Sequence, residues 1–147
     1  MQTEYERLIG EVSAASGVEL KIAADRVCEV AVGDEIVLVK PTGDTEEAVT
    51  MFAVVVGENA GAAEKEKALS MNLFGRATDG GVIGLFADAL IYSKTVQAGG
   101  LSAEDFASLL VRFAGKTGEI SAALAAQERD PPVPAAGASL PGDFMRV

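Results

Sequence analysis

Apolar residues change their spacing four times along this chain. Residues 3 to 17 run at helical steps, with Tyr5, Leu8, Ile9, Val12 and Ala15 on one face, Thr3 and Glu6 forming a capping box, and Gly17 placed to end the helix. From Glu19 onward the runs become short and β-favouring. Leu20 and Ile22 come first, then Val27 to Val32, then Glu35 to Lys40 across a Gly33-Asp34 turn whose leading glycine suits type II′. Pro41-Thr42-Gly43-Asp44 makes a second turn. Ala48 to Val56 follows, so uniformly apolar that it reads as a central strand covered on both faces. Helical spacing returns over residues 62 to 74, with Ala62, Leu69 and Leu73 on one stripe. After a loop holding Asp79-Gly80-Gly81, Val82 to Phe86 and Ala89 to Thr95 form a hairpin around Ala87-Asp88. A long last helix opens at the N-capping Ser102, with Phe106, Leu109, Leu110, Phe113, Ile120 and Leu124 on its stripe to about residue 127. The order is α-β-β-β-α-β-β-α, an α+β fold of antiparallel sheet packed with helices.

At 147 residues the chain is expected to be one domain over 1–127, with a Pro/Ala/Gly-rich flexible tail over 128–147. Four of the five prolines fall in the last 17 residues, which neither extend a helix nor build a core. With 12 basic against 22 acidic residues the net charge is −10, the wrong sign for neutralising nucleic-acid phosphate. Residues 1 to 60 carry most of it, with 12 acidic and 4 basic side chains. The chain lacks histidine and has one cysteine, which argues against histidine catalysis, a thiolate zinc site and an internal disulfide. No apolar run approaches the roughly 20 residues of a membrane span, and Met1 to Glu6 does not read as a secretory signal. A cytoplasmic protein is expected.

Sites with chemistry are few. The stretch Gly75 to Gly81 is rich enough in glycine to suggest a phosphate cradle, but it lacks the Lys-Ser or Lys-Thr that a P-loop needs after its last glycine. Asp34-Glu35 and Asp44, Glu46 and Glu47 read as solvated turn ends, without the alternating spacing of a calcium loop. Cys28 sits in an apolar strand and reads as a buried small hydrophobe. No catalytic residue, metal site or cofactor is expected. A five-stranded sheet does have edges, which need covering by a second copy or a partner's strand.

The stretch Ala68-Leu69-Ser70-Met71-Asn72-Leu73-Phe74-Gly75, then a glycine-containing loop and Val82-Ile83-Gly84-Leu85, resembles the class I type III secretion chaperones, the Tir-chaperone family. Leu90-Ile91-Tyr92-Ser93, Leu101 to Phe106, the element order and the acidic balance are similar as well, over about residues 3 to 127. The proline-rich tail departs from the family's compact ending. The resemblance implies a homodimer, formed largely through the second helix and the neighbouring strand, around which a secreted effector's N-terminal segment wraps in a non-globular form without ATP. It places Leu69, Leu73, Phe74, Ile83 and Leu85 at the dimer interface, although the same residues fit a monomer core. For the effector-binding surface it points to Leu20, Ile22, Val30, Ile36 and Leu38, with the outward-facing alternate positions left open. The alternatives are a dimeric adaptor or regulator of the same fold outside secretion, and, more weakly, a small enzyme using the Arg76 to Gly81 loop.

Overall fold

A computed structural model of the protein describes residues 2–129. The first helix, α1 (Glu4–Ser16), begins with the expected capping box: the Thr3 hydroxyl accepts from the Glu6 N–H, and the Glu6 carboxylate accepts from the Thr3 N–H. Gly17, at φ 75°, closes it in the left-handed conformation. Strands β1 (Cys28–Val32), β2 (Glu35–Thr42) and β3 (Ala48–Val56) form an antiparallel meander. Gly33 alone of the two residues between β1 and β2 has positive φ, as a type II′ turn requires. Helix α2 (Ala62–Asn72) runs into a 3-10 turn, Leu73–Gly75, and then β4 (Val82–Phe86) and β5 (Ala89–Gln97) pair through Ala87 and Asp88, both at positive φ as in a type I′ turn. Helix α3 (Ala103–Arg129) is continuous through Gly115 and Gly118, and Ser102 caps it by accepting from the Asp105 N–H at 3.0 Å. The element order is the one expected. The proposed tail overlaps α3 at its first two residues and otherwise lies outside the described residues.

The five strands stand in the order β1-β2-β3-β5-β4, so β3 is central and β1 and β4 are the edges. One sheet face carries the core: Cys28, Val37, Val39, Val49, Met51 and Tyr92 pack under Tyr5, Leu8, Phe106, Leu110 and Phe113 of α1 and α3. The Tyr92 ring stacks on Phe113 with centroids 4.5 Å apart, and its hydroxyl donates to the buried Thr78 carbonyl at 2.7 Å. The other face differs from expectation. β3 is covered on one side only: Val49, Met51, Ala53 and Val55 are buried, whereas Val54 is 54% exposed and Thr50, Phe52 and Val56 are only partly covered. The physical reason is that the helices lie on the core face. Among the described residues no layer covers the second face of the uniformly apolar β3.

Candidate functional site: two apolar surfaces

The first surface is the open sheet face with the structure beside β4. Cross-strand register aligns Leu38, Phe52, Ser93 and Val82 in one row and Val54, Ile91 and Gly84 in the next. Phe52, Val82, Phe86 and Ile91 line a shallow groove of about 470 Å3 whose polar end is Lys40, Thr50 and Ser93. Thr42, Thr50 and Thr95 close that end of the face with hydroxyl hydrogen bonds of 2.8 and 2.7 Å.

Next to this face, α2 turns its expected stripe outward. It buries Ala68 and Glu64, whose carboxylate accepts from the Gly61 N–H, and leaves Leu69 71% exposed, with Leu73 and Leu85 also exposed. Phe74 is 93% exposed and sits at φ 63°, a region costly for a bulky side chain. Asn72 holds this turn against β4: its Nδ2 donates to the Ile83 carbonyl at 2.9 Å, and its Oδ1 accepts from the Ile83 N–H at 2.7 Å. Of the five residues expected at a dimer interface, Leu69, Leu73, Phe74 and Leu85 thus lie exposed around α2 and β4. Ile83 is 5% exposed and belongs to the core.

The second surface lies at the opposite edge. The end of α1, strand β1 and α3 enclose a groove of about 520 Å3 lined by Val12, Val18, Leu20, Val30, Leu110 and Val111, with Glu19 and Glu29 also in its wall. Its wall is the outer edge of β1, which among the described residues is met by an isolated bridge between Ile22 and Cys28. In a hairpin with a two-residue loop the flanking pair, here Val32 and Glu35, is hydrogen-bonded, so the backbone groups of Ala31 point away from β2. An extended chain laid along this edge finds backbone partners and an apolar trough together.

The residues expected to bind a partner are divided between the surfaces. Leu20 and Val30 line the β1 groove, and Ile22 packs against the core beside it. Val30 is itself largely buried. Ile36 and Leu38 are on the opposite sheet face, Ile36 half exposed and Leu38 paired with Phe52. Sequence reasoning missed Val18 and Val111 in the groove, and Phe52, Val54, Val82, Phe86 and Ile91 on the open face. Val111 carried a signal, being a large apolar residue off the α3 stripe.

The polar candidates have structural roles. In the Gly75–Gly81 loop the N–H groups of Asp79, Gly80 and Gly81 are donated to Arg76, Gly75 and Thr78 carbonyls, which leaves those donors no free role toward phosphate. Asp79 accepts from Arg112 at 2.6 Å and lies 3.8 Å from Lys94; the Arg112 hydrogen bond, with those cations, holds its carboxyl below the ordinary range. Arg26 pairs with Glu46 and Glu6 across the start of α1, and hydrogen bonding to Arg26 lowers the Glu46 carboxyl in the same way. Burial pushes the Cys28 thiol up, away from the reactive thiolate.

A one-sided antiparallel sheet with an uncovered apolar face at one edge and a grooved free strand at the other is the construction of a protein-binding module. Residues 7–119 match the model of the Tir chaperone protein (CesT) family, and the chain belongs to that family. No curated protein sequence matches it. Among solved structures it is similar to a chain of the ExsC–ExsE complex (TM-score 0.68, 18% identity, 84% of this chain and 97% of that one). It is also similar to a chain from the Yersinia pestis type III secretion chaperone SycH in complex with a stable fragment of YscM2 (TM-score 0.60, 18% identity, 79% and 98%). A third is a chain of the ExoT–SpcS complex from Pseudomonas aeruginosa (TM-score 0.61, 16% identity, 81% and 98%). At these identities the likeness is one of fold. No helix among the described residues is long and apolar enough to cross a membrane.

Proposed function

We propose that this protein is a cytoplasmic type III secretion chaperone that binds the N-terminal segment of a secreted effector as a homodimer, without ATP and without catalysis. The observation that carries the reading is the β1 groove, where a free strand edge and an apolar trough lie side by side in a member of a chaperone family. A client strand gains main-chain hydrogen bonds from the edge and places alternate apolar side chains in the trough. Occupying it covers a client segment that would otherwise aggregate. Glu19 and Glu29 in the groove wall, within the acidic N-terminal half, favour a client segment carrying basic residues and make its association rate fall with salt.

The dimer interface in this reading is the other surface: Leu69, Leu73, Phe74 and Leu85 with the open face around Phe52 and Val82, and Ile83 supporting them from the core. The client surface is Leu20, Ile22 and Val30 in and beside the groove, and Ile36 and Leu38 flank the sheet's far side as secondary contacts. The likeness to chains from the SycH–YscM2 fragment and ExoT–SpcS complexes supports this reading. The test is capture of the tagged chain from its native cytoplasm with intact-mass measurement of the eluted complex. The expected product is two copies holding one secreted protein through its N-terminal segment. Recovery of non-secreted regulators alone would transfer the protein to the adaptor reading.

A further inference from the structure

The two edges of the sheet are not equivalent. In the β4–β5 hairpin the pair flanking the two-residue loop is Phe86 and Ala89, which makes Phe86, Gly84 and Val82 the residues bonded to β5. The N–H and C=O of Ile83 and Leu85 therefore point outward, where an incoming strand would bind. At Ile83 both groups are taken by a side chain: the Asn72 amide donates to the carbonyl at 2.9 Å and accepts from the N–H at 2.7 Å. Along one edge a primary amide presents an N–H donor and a C=O acceptor side by side, the same pair that a strand's peptide groups would offer. Among the described residues no side chain is bonded to the outward backbone groups of Ala31 on β1, which face a groove, and the bridge between Ile22 and Cys28 meets that edge at its first residue.

We propose that Asn72 closes the β4 edge, so that of the sheet's two edges β1 alone accepts a further strand. Exposed edges are templates for wrong pairing, and a chain whose work is to offer one edge to a partner has to deny the other. Asn72 is bonded to the second residue of a five-residue strand, and a partner strand pairing with β4 at Ile83 would have to displace it. The same two bonds hold the Leu73–Gly75 turn against the sheet and keep Phe74 directed outward. Asn72 is thus a positioning residue. The closing of β4 is a property of the chain alone, whereas the use of β1 by a client rests on the reading above.

The test uses the full chain without client, so its failure is separate from failure of the chaperone reading. Amide exchange at Ile83 and Leu85 and the mass distribution are measured over about a hundredfold dilution for wild type and Asn72→Leu. Asn72→Asp serves as a second variant; it keeps the acceptor toward the Ile83 N–H and sets a carboxylate against the Ile83 carbonyl. Wild type is expected to protect Ile83 at every concentration. Asn72→Leu should exchange Ile83 roughly tenfold faster when dilute and, when concentrated, form species larger than wild type in which Ile83 and Leu85 both become protected. Asn72→Asp, which still occupies the Ile83 N–H, should keep Ile83 protected when dilute and assemble less than Asn72→Leu. Unchanged Ile83 exchange in Asn72→Leu, an unchanged mass distribution in folded Asn72→Leu, or growth without protection at Leu85 would each overturn the proposal.

Discussion

Phe74 offers a substitution with opposite effects on the chain and on its assembly. Its side chain is almost fully exposed, so the monomer gains little from it, while its backbone at φ 63° is held where an L-residue costs about 1–2 kcal/mol. Phe74→Gly removes that strain and loses roughly 0.5–1 kcal/mol to the greater freedom of glycine in the unfolded chain. The monomer should therefore be unchanged or more stable, by up to about 1.5 kcal/mol. The dimer should suffer. Burying a phenylalanine contributes roughly 1.5–3 kcal/mol, and a two-fold interface counts the loss twice, so Kd should rise by about two to four orders of magnitude. Sedimentation equilibrium over a dilution series gives Kd, and urea unfolding at a concentration where both proteins are monomeric gives the chain's own stability. Phe74→Ala is the control, since it removes the ring without relieving the backbone, and should weaken the dimer similarly with no gain in stability. A Kd within about fivefold of wild type for both variants would refute the placement of Phe74 in the interface, and a marked loss of monomer stability would refute the account of its exposure.

Val111→Asp, at a 63% exposed position in the β1 groove, should leave the melting temperature nearly unchanged and abolish capture of the client segment; retained capture by a folded variant would remove α3 from that site. The folded pKa of Asp79 is lowered by Arg112, so its stabilising contribution is complete above the ordinary carboxylate value of about 3.9 and is lost as pH falls through the folded value. Asp79→Asn should accordingly be less stable than wild type at neutral pH, with the difference closing in acid; a difference that persists in strong acid would mean the carboxylate charge is not its source. A Cβ at Gly81 would stand 2.5 Å from the Ser93 carbonyl oxygen and 2.8 Å from the Tyr92 ring, so Gly81→Ala should destabilise by about 1–3 kcal/mol in thermal or urea unfolding. An alanine variant of wild-type stability would show that β4 can shift at no cost.

What was legible in the sequence was whatever local chemistry decides. Thr3 and Glu6 cap α1 because the capping box is a four-residue interaction, Gly33 marks a hairpin because a type II′ turn demands positive φ at its first residue, and the hairpin at Ala87-Asp88 is marked by the β-favouring runs on either side. Which face of an element the helices cover is decided by partners far away in the chain. The apolar run of β3 pointed to cover on both sides, yet a strand with two apolar faces gives no sign of whether its own chain or another supplies the second layer. Helix α2 shows the same limit: Leu69 and Leu73 made a sound stripe, but the helix docks through Ala68 and Asn72 beside an edge strand, so the stripe faces out. Asn72 itself was invisible as a site residue, since an asparagine ending a helix has local uses enough and its partner is eleven residues on.

The placement of the two surfaces sets a lower bound on the client. The β1 groove and the α2–β4 surface stand at opposite edges of a five-stranded sheet, so the proposed dimer would leave both grooves free and set them at the far ends of the assembly. Four inter-strand spacings of about 4.8 Å put β1 roughly 19 Å from β4, and two protomers joined on the β4 side separate the two β1 edges by roughly 40 Å. Extended chain advances about 3.3 Å per residue, so one client segment engaging both grooves needs roughly 12 residues between its two contact stretches. A client retaining both stretches at full spacing should bind as one chain per two protomers. Deleting the connecting residues to about half that length should change the stoichiometry to one client per protomer and forfeit the affinity gained by linking the two contacts. Intact-mass measurement across the deletion series reads both changes, and a stoichiometry indifferent to spacer length would mean that the client does not reach from one β1 edge to the other.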